Sequence, residues 1–350
     1  MNSTTVTLSA YLANVQIQII RSLLTPVYII SNLTNLANIL IFLQPTLRSH
    51  VCSYYFIGAS LAHLLYLNMG CSTRVIWAWT GYDLSLKSLI FCQTRVYFVI
   101  FGLSASRYIL CLISIDRWMI TSRNVLIRQL SSSKTARRMI IGGIVFLLLI
   151  IIHAPFAYVL TDTIPCGPSP QSNLFMLYTI YNVALSLTPL ITLVIFSLLI
   201  LYNIEQLRSQ RIVPVEQASV MNNVSHAGRQ YKKKDMQFIR LALIQVAAYL
   251  IFNTLHAYNT IYAVATQNRI KTADQRALEG FLNGIGLNLH YTYTGVGFLI
   301  KSYRLIPYFC FCLDYFLLVH DGIYLVPEDL YRFVAKTLQT HYNFQIGTVK

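Results

Sequence analysis

Apolar runs of about 20 residues alternate with short polar and basic stretches along most of the chain. A helix rises about 1.5 Å per residue, so about 20 apolar residues cross a hydrocarbon core of about 30 Å. Seven runs predict spanning helices, at roughly 20–43, 52–70, 92–116, 139–160, 174–202, 237–265 and 280–300. Leu23 to Leu43, Met139 to Leu160 and Asn173 to Asn203 contain no Asp, Glu, Lys or Arg. The second run is uncharged from Cys52 to Cys71 but holds His63 and Asn68. The seventh, Phe281 to Ile300, is uncharged but rich in Gly, Asn and Thr. Such a run is costly against lipid and predicts a helix that faces other helices. Leu305–Val319, with Pro307 and Asp314, is too short to span and predicts an interfacial helix. From Val326-Pro327-Glu328-Asp329-Leu330 two readings are open, a short amphipathic helix to Gln339 or an unstructured tail. The expected fold is an all-α membrane protein, a seven-transmembrane helix bundle. Residues 1–19 form an extracellular N-terminus, 20–300 the bundle, and 301–350 a cytoplasmic tail with the interfacial helix.

Composition supports the membrane. Of 350 residues 55% are hydrophobic and 11% charged, and mean hydropathy is +0.54. A soluble domain carries about 25% charged residues. The formal charge of +15 suggests nucleic acid in a soluble protein. In an apolar chain it predicts basic loops on the cytoplasmic side instead, with no nucleic-acid partner. With the N-terminus outside, the segments 44–51, 117–138, 203–240 and 301–350 are inside and hold 19 of the 27 Lys and Arg. Asn2-Ser3-Thr4 is a glycosylation sequon, usable only outside, which marks Asn2. Cys92 and Cys166 fall on the outer side, where disulfides persist, as does Cys71. Residues 1–19 lack the basic-then-apolar layout of a signal peptide, so the first span reads as an uncleaved signal-anchor.

The third run begins near Cys92 and ends Ile115-Asp116-Arg117-Trp118, with the Cys 25 residues before the Arg. This resembles rhodopsin-like (class A) G-protein-coupled receptors, which carry a Cys at the outer end of the third helix and Asp-Arg-Tyr at its inner end. Trp118 stands where the family has Tyr. Asn35 looks like the Asn of the first helix, Pro189 like the Pro of the fifth, and Tyr303-Arg304 like the Phe-Arg that opens the short eighth helix. The texture is similar to invertebrate FMRFamide-type and related orphan peptide receptors. The resemblance covers about residues 20–310. His63 stands where the family has an Asp in the second helix. The sixth helix reads Phe252-Asn253-Thr254-Leu255-His256 in place of Cys-Trp-x-Pro. Counting back from Tyr303-Arg304 puts Thr292-Tyr293-Thr294-Gly295-Val296 in place of Asn-Pro-x-x-Tyr.

The resemblance implies a plasma-membrane receptor that passes binding of an extracellular ligand, a neuropeptide by texture, to heterotrimeric G proteins. It implies no enzyme activity and no cofactor. Asp116 and Arg117, with Trp118, become a latch at the cytoplasmic face; positive-inside topology with snorkelling is the plainer reading. Cys92 and Cys166 become a disulfide tying the third helix to the loop before the fifth, which stabilises by about 2–4 kcal/mol. Cys310 and Cys312 become acylation sites. Asn35, His63, Arg107, Pro189, His256 and Thr292 form a helix-packing and activation set. Arg107 lies ten residues before Arg117, so about 15 Å deeper. A charge there is either a brace or part of an activation network. His63 and His256 read as packing residues rather than metal ligands. Val99, Tyr97, Tyr178, Tyr181, Tyr258 and Tyr262 are candidates for the ligand pocket, and interfacial belting also accounts for the tyrosines. Lys232-Lys233-Lys234-Asp235 faces either a G protein or anionic lipid.

Other functions fare worse. A retinal protein needs a Lys in the seventh helix, and the matching family position is Gly286. An amine receptor uses an Asp in the third helix where this chain has Val99. No internal repeat suggests a transporter, and no nucleophile, metal or phosphate motif suggests an enzyme. The altered sixth and seventh helices keep open a receptor-like decoy or partner that no longer signals.

Overall fold

A computed structural model describes residues 7–48, 50–161, 166–169, 174–209, 225–267 and 269–295. Asn2, the end of the seventh run at 296–300, Tyr303-Arg304, Leu305–Val319 with Cys310 and Cys312, and Val326–Gln339 lie outside the described residues. The described residues fall within one unit, Met1–Tyr303.

Among the described residues, seven long helices follow the seven apolar runs. They are α1 (Leu8–Leu43), α2 (51–80), α3 (Leu89–Thr121), α4 (Ser133–Phe156), α5 (Phe175–Ser209), α6 (Ser225–Ala265) and α7 (273–295). Side-chain caps set several starts. Ser88 Oγ accepts from Phe91 N–H at 3.3 Å to open α3, and Ser132 Oγ from Thr135 N–H at 3.2 Å to open α4. Each satisfies a donor that a helix start leaves bare. Gly81, with φ 69°, closes α2 by returning its N–H to Trp77 O at 2.8 Å.

Three features of the helices differ from the sequence reading. Helix α1 begins at Leu8, so much of the polar N-terminal stretch is helical, started by the Thr7 cap. Helix α2 continues ten residues past 70, through a π-turn at Leu67–Cys71. A matching π-turn, Ile20–Leu24, interrupts α1, and Thr25 Oγ bonds back to Ile20 O at 3.0 Å. The two widened turns pack together, with Ile20, Leu24, Leu67 and Cys71 in one cluster. Third, among the described residues five of the helices are long and apolar enough to cross a membrane, and α2 and α7 are not among them. Their polar side chains explain the shortfall. His63 of α2 and Asn288, His290 and Thr294 of α7 are buried within the bundle.

The burial pattern is that of a bundle in lipid. Helix α3 is the hub, packed against α2, α4, α5 and α6. Two thirds of its most apolar window is buried (67%), against 17% for α4. Leu40, Leu61, Ile141, Leu149 and Ile251 point outward, each more than half exposed. An apolar exterior on this scale suits a hydrocarbon surround. Small residues set the hub's spacing. A Cβ on Gly102 would stand 2.9 Å from Tyr66 N and 3.0 Å from Ala62 O, so α3 touches the backbone of α2 there. At Gly143, α4 receives the ring of Tyr108, whose hydroxyl donates to Met139 O at 2.8 Å.

Candidate functional site

Polar groups in this bundle gather at three levels. At the inner end of α3, Asp116 and Arg117 are 1% and 2% exposed. Arg117 Nε donates to Asp116 Oδ2 at 3.1 Å, and Nη2 donates to the same oxygen. Ser131 Oγ donates to the other oxygen, Oδ1, at 2.6 Å. Both carboxylate oxygens are therefore engaged, by the guanidinium on one side and by the loop after α3 on the other. Trp118 sits edge-on to Phe196 of α5, 5.4 Å between centroids. One turn on, Asn203 of α5 donates to Thr121 Oγ at 3.3 Å. The inner ends of α3 and α5 are thus joined beside the ion pair. Lys232-Lys233-Lys234-Asp235 lies within α6.

At mid-depth, Asn35 Nδ2 donates to Ser31 O at 2.8 Å in its own helix and to Thr294 O at 3.1 Å, tying α1 to α7. Asn38 donates to Ser60 Oγ and ties α1 to α2. Arg107 is 3% exposed and its Nη1 donates to Leu185 O of α5 at 3.0 Å. Pro189, inside α5, is four residues beyond Leu185. A proline has no N–H to return to the carbonyl four residues back. Arg107 takes that vacant place. The rings of Tyr66, His290 and His256 form a chain from α2 through α7 to α6, with centroids 5.0 and 6.0 Å apart. His63 meets Tyr293 at 6.0 Å, and Tyr293 meets Tyr249 at 5.4 Å. Thr292 bonds back to Asn288 O at 2.9 Å in its own helix.

At the outer end a disulfide joins Cys92 to Cys166, 5.9 Å between Cα atoms. It anchors a two-stranded hairpin, β1 (Tyr158–Val159) against β2 (Gly167–Pro168), with Tyr158 opposite Pro168. Cys166 takes a left-handed conformation, φ 44°. Gln93 Nε2 donates to Tyr158 O at 3.3 Å, a second tie from α3 to the hairpin.

The six candidate pocket residues divide. Tyr97 donates to Leu148 O of α4 at 2.9 Å. Tyr178 is hydrogen-bonded to Tyr158 at 2.8 Å, and Tyr181 to Ser104 at 2.7 Å. These three hydroxyls brace α3, α4, α5 and the hairpin. Val99 packs against the cluster that holds Tyr66 and Tyr291. Tyr258 and Tyr262 instead line an open groove of about 470 Å³ between the outer ends of α6 and α7, with Gln275, Arg276, Glu279 and Asn283. Two of the lining residues also meet Lys271, which pairs with Glu279 at 2.7 Å and stands 5.5 Å from the Tyr262 ring.

Sequence reasoning missed the Tyr66–His290–His256 chain and the Arg107–Pro189 link. A signal was present in the first case, the polar run His290-Tyr291-Thr292-Tyr293 inside an apolar stretch. Nothing in the sequence brings Arg107 beside Leu185. The family described as 7 transmembrane receptor (rhodopsin family) matches residues 34–283. No curated protein matches the chain.

Proposed function

We propose that this chain, which belongs to the rhodopsin family of seven-transmembrane receptors, carries binding of an extracellular peptide to a heterotrimeric G protein at the plasma membrane. The family makes it a non-enzymatic membrane receptor. The N-terminus lies outside, an orientation supported by the excess of Lys and Arg in the alternate loops and by a disulfide at the opposite end of α3 from Asp116-Arg117.

The carrying observation is the buried inner ion pair. Asp116 holds Arg117 while Ser131 holds Asp116. This is the resting arrangement of a two-state element. Moving the loop or α5 breaks the shared contacts and frees the guanidinium to face a partner. The ligand enters at the α6–α7 groove, where Tyr258 and Tyr262 supply aromatic faces and Arg276 and Glu279 supply charge. Mixed charge beside aromatic surface suits a short peptide better than a simple amine or acid.

The test is G-protein activation in cells expressing the surface-tagged chain, challenged with a pool of short amidated peptides, with Arg117→Ala beside it. A peptide-evoked signal that Arg117→Ala abolishes supports the reading. An evoked signal that survives the substitution removes the latch. A second reading, a receptor-like partner without signalling, is favoured by Phe252-Asn253-Thr254-Leu255-His256 in the sixth helix. It predicts normal surface expression and peptide binding with no G-protein signal.

A further inference from the structure

Among the described residues, the centre of the bundle contains a cation and provides it no carboxylate. Of the chain's 12 Asp and Glu, Asp116 alone lies within the seven apolar runs, and it is committed to Arg117 and Ser131. Arg107 is 3% exposed and spends Nη1 on Leu185 O. Its Nε is enclosed and has no hydrogen-bond partner among the described residues. On α7 and α6 stand two imidazoles, His290 and His256, whose Nδ1 atoms are also enclosed and without a hydrogen-bond partner among the described residues. The two rings lie 6.0 Å apart, and His290 is 5.0 Å from the ring of Tyr66, which shares a packed cluster with Leu103, one turn before Arg107 on α3. Burying an unpaired charge in a medium without water is strongly unfavourable.

We propose that this centre binds a small monovalent anion, chloride in the cell, held by the Arg107 guanidinium and the ring N–H groups of His290 and His256. The chemistry of the unpartnered groups selects the ligand. A guanidinium N–H donates, and a neutral imidazole presents an N–H at Nδ1 when that tautomer is chosen. A cation is repelled by Arg107, and among the described residues no cluster of three His, Cys, Asp or Glu is gathered to hold a metal. Water satisfies the hydrogen bonds but leaves the charge uncompensated. Arg107 and His290, at 3% and 2% exposed, face the bundle interior rather than an opening to the outer side. The anion would tie α3, α6 and α7 together at mid-depth. Its binding is independent of any G protein and of the peptide reading.

The test uses the full chain in lipid nanodiscs without peptide or G protein. Its thermal unfolding midpoint is followed as sodium chloride replaces sodium gluconate at constant ionic strength. Ligand binding to the folded state alone predicts a saturable rise, on the order of 3 °C. Bromide reproduces it, and exchanging sodium for choline at fixed chloride leaves it intact. Arg107→Gln abolishes it. If that variant does not fold, His290→Phe decides, with a rise that is weakened or shifted to higher chloride. Equal midpoints in chloride and gluconate overturn the proposal and leave water in the centre. A rise that follows sodium, or one undiminished in both variants, overturns it equally.

Discussion

Arg107 donates to the carbonyl oxygen that Pro189 leaves without a helical partner. The bond runs from Arg107 Nη1 on α3 to Leu185 O on α5 at 3.0 Å. It repairs a defect in one helix with a charge from another. It also explains how α5 keeps a proline in its interior at membrane depth, where an unsatisfied carbonyl is expensive.

The two residues should therefore be energetically coupled. Arg107→Met destabilises the native chain, because it strands the Leu185 carbonyl. In a Pro189→Ala background the helix regains its own bond and the same substitution costs less. A double-mutant cycle on unfolding midpoints should give a coupling on the order of 1–2 kcal/mol. A coupling of zero would mean that the carbonyl is served by something else.

Gly102 and Gly142 separate close packing from open space. A Cβ on Gly102 meets the α2 backbone at 2.9 Å, whereas one on Gly142 meets nothing within 4 Å. Backbone does not yield as a flexible side chain does. Gly102→Ala should cost roughly 1–3 kcal/mol. Gly142→Ala should be neutral or stabilising by up to about 1 kcal/mol, from helix propensity. Paired thermal unfolding curves check both.

The inner latch makes a signed prediction about basal activity. Asp116→Asn removes the charge that holds Arg117 and should raise signalling without ligand. Ser131→Ala removes the neutral bond to Oδ1 and should raise it less, since such a bond is worth only about 0.5–1.5 kcal/mol. Basal G-protein activation at matched surface expression distinguishes them. Unchanged basal activity in Asp116→Asn would confine the pair to a structural role.

At the outer end, Cys92→Ser opens the 74-residue loop closed by the disulfide and releases Cys166 from its left-handed conformation. The expected loss is about 2–4 kcal/mol. The hairpin keeps its ties from Gln93 and Tyr178. The variant should therefore reach the surface in reduced amount and bind peptide more weakly. Flow cytometry and a binding isotherm measure the two effects separately.

At the α6–α7 groove, Tyr262→Ala removes an aromatic wall and the ring beside Lys271. Peptide potency should fall about tenfold, which corresponds to roughly 1.4 kcal/mol. The unfolding midpoint should stay within about 1 °C, because the ring is 40% exposed. Unchanged potency would move the ligand site away from this groove.

The number and rough placement of the helices were readable from the chain, because hydrocarbon demands about 20 apolar residues wherever a helix crosses it. Local chemistry also announced the ion pair, since Asp116 and Arg117 are adjacent. The helix ends were less legible. Ser88 and Ser132 are cap residues among many serines, and whether α1 starts at Leu8 depends on one Thr7 cap. The two π-turns have no sequence mark, since each is fixed by packing against the other.

Read from the chain alone, this is a basic, apolar, helical protein with Arg107 at mid-depth and no carboxylate in any other span to pair with it. Periodicity and charge are local quantities, so these features needed no contacts to be known. What Arg107 meets follows from the packed bundle. Leu185 lies 78 residues away, and His256 and His290 belong to two further helices. Helix rotation and depth bring those groups together, and they are set by the summed packing at positions such as Gly102 and Gly143. No single residue encodes that sum. It also turned the candidate tyrosines apart, sending Tyr97, Tyr178 and Tyr181 into braces and Tyr258 and Tyr262 to an open groove.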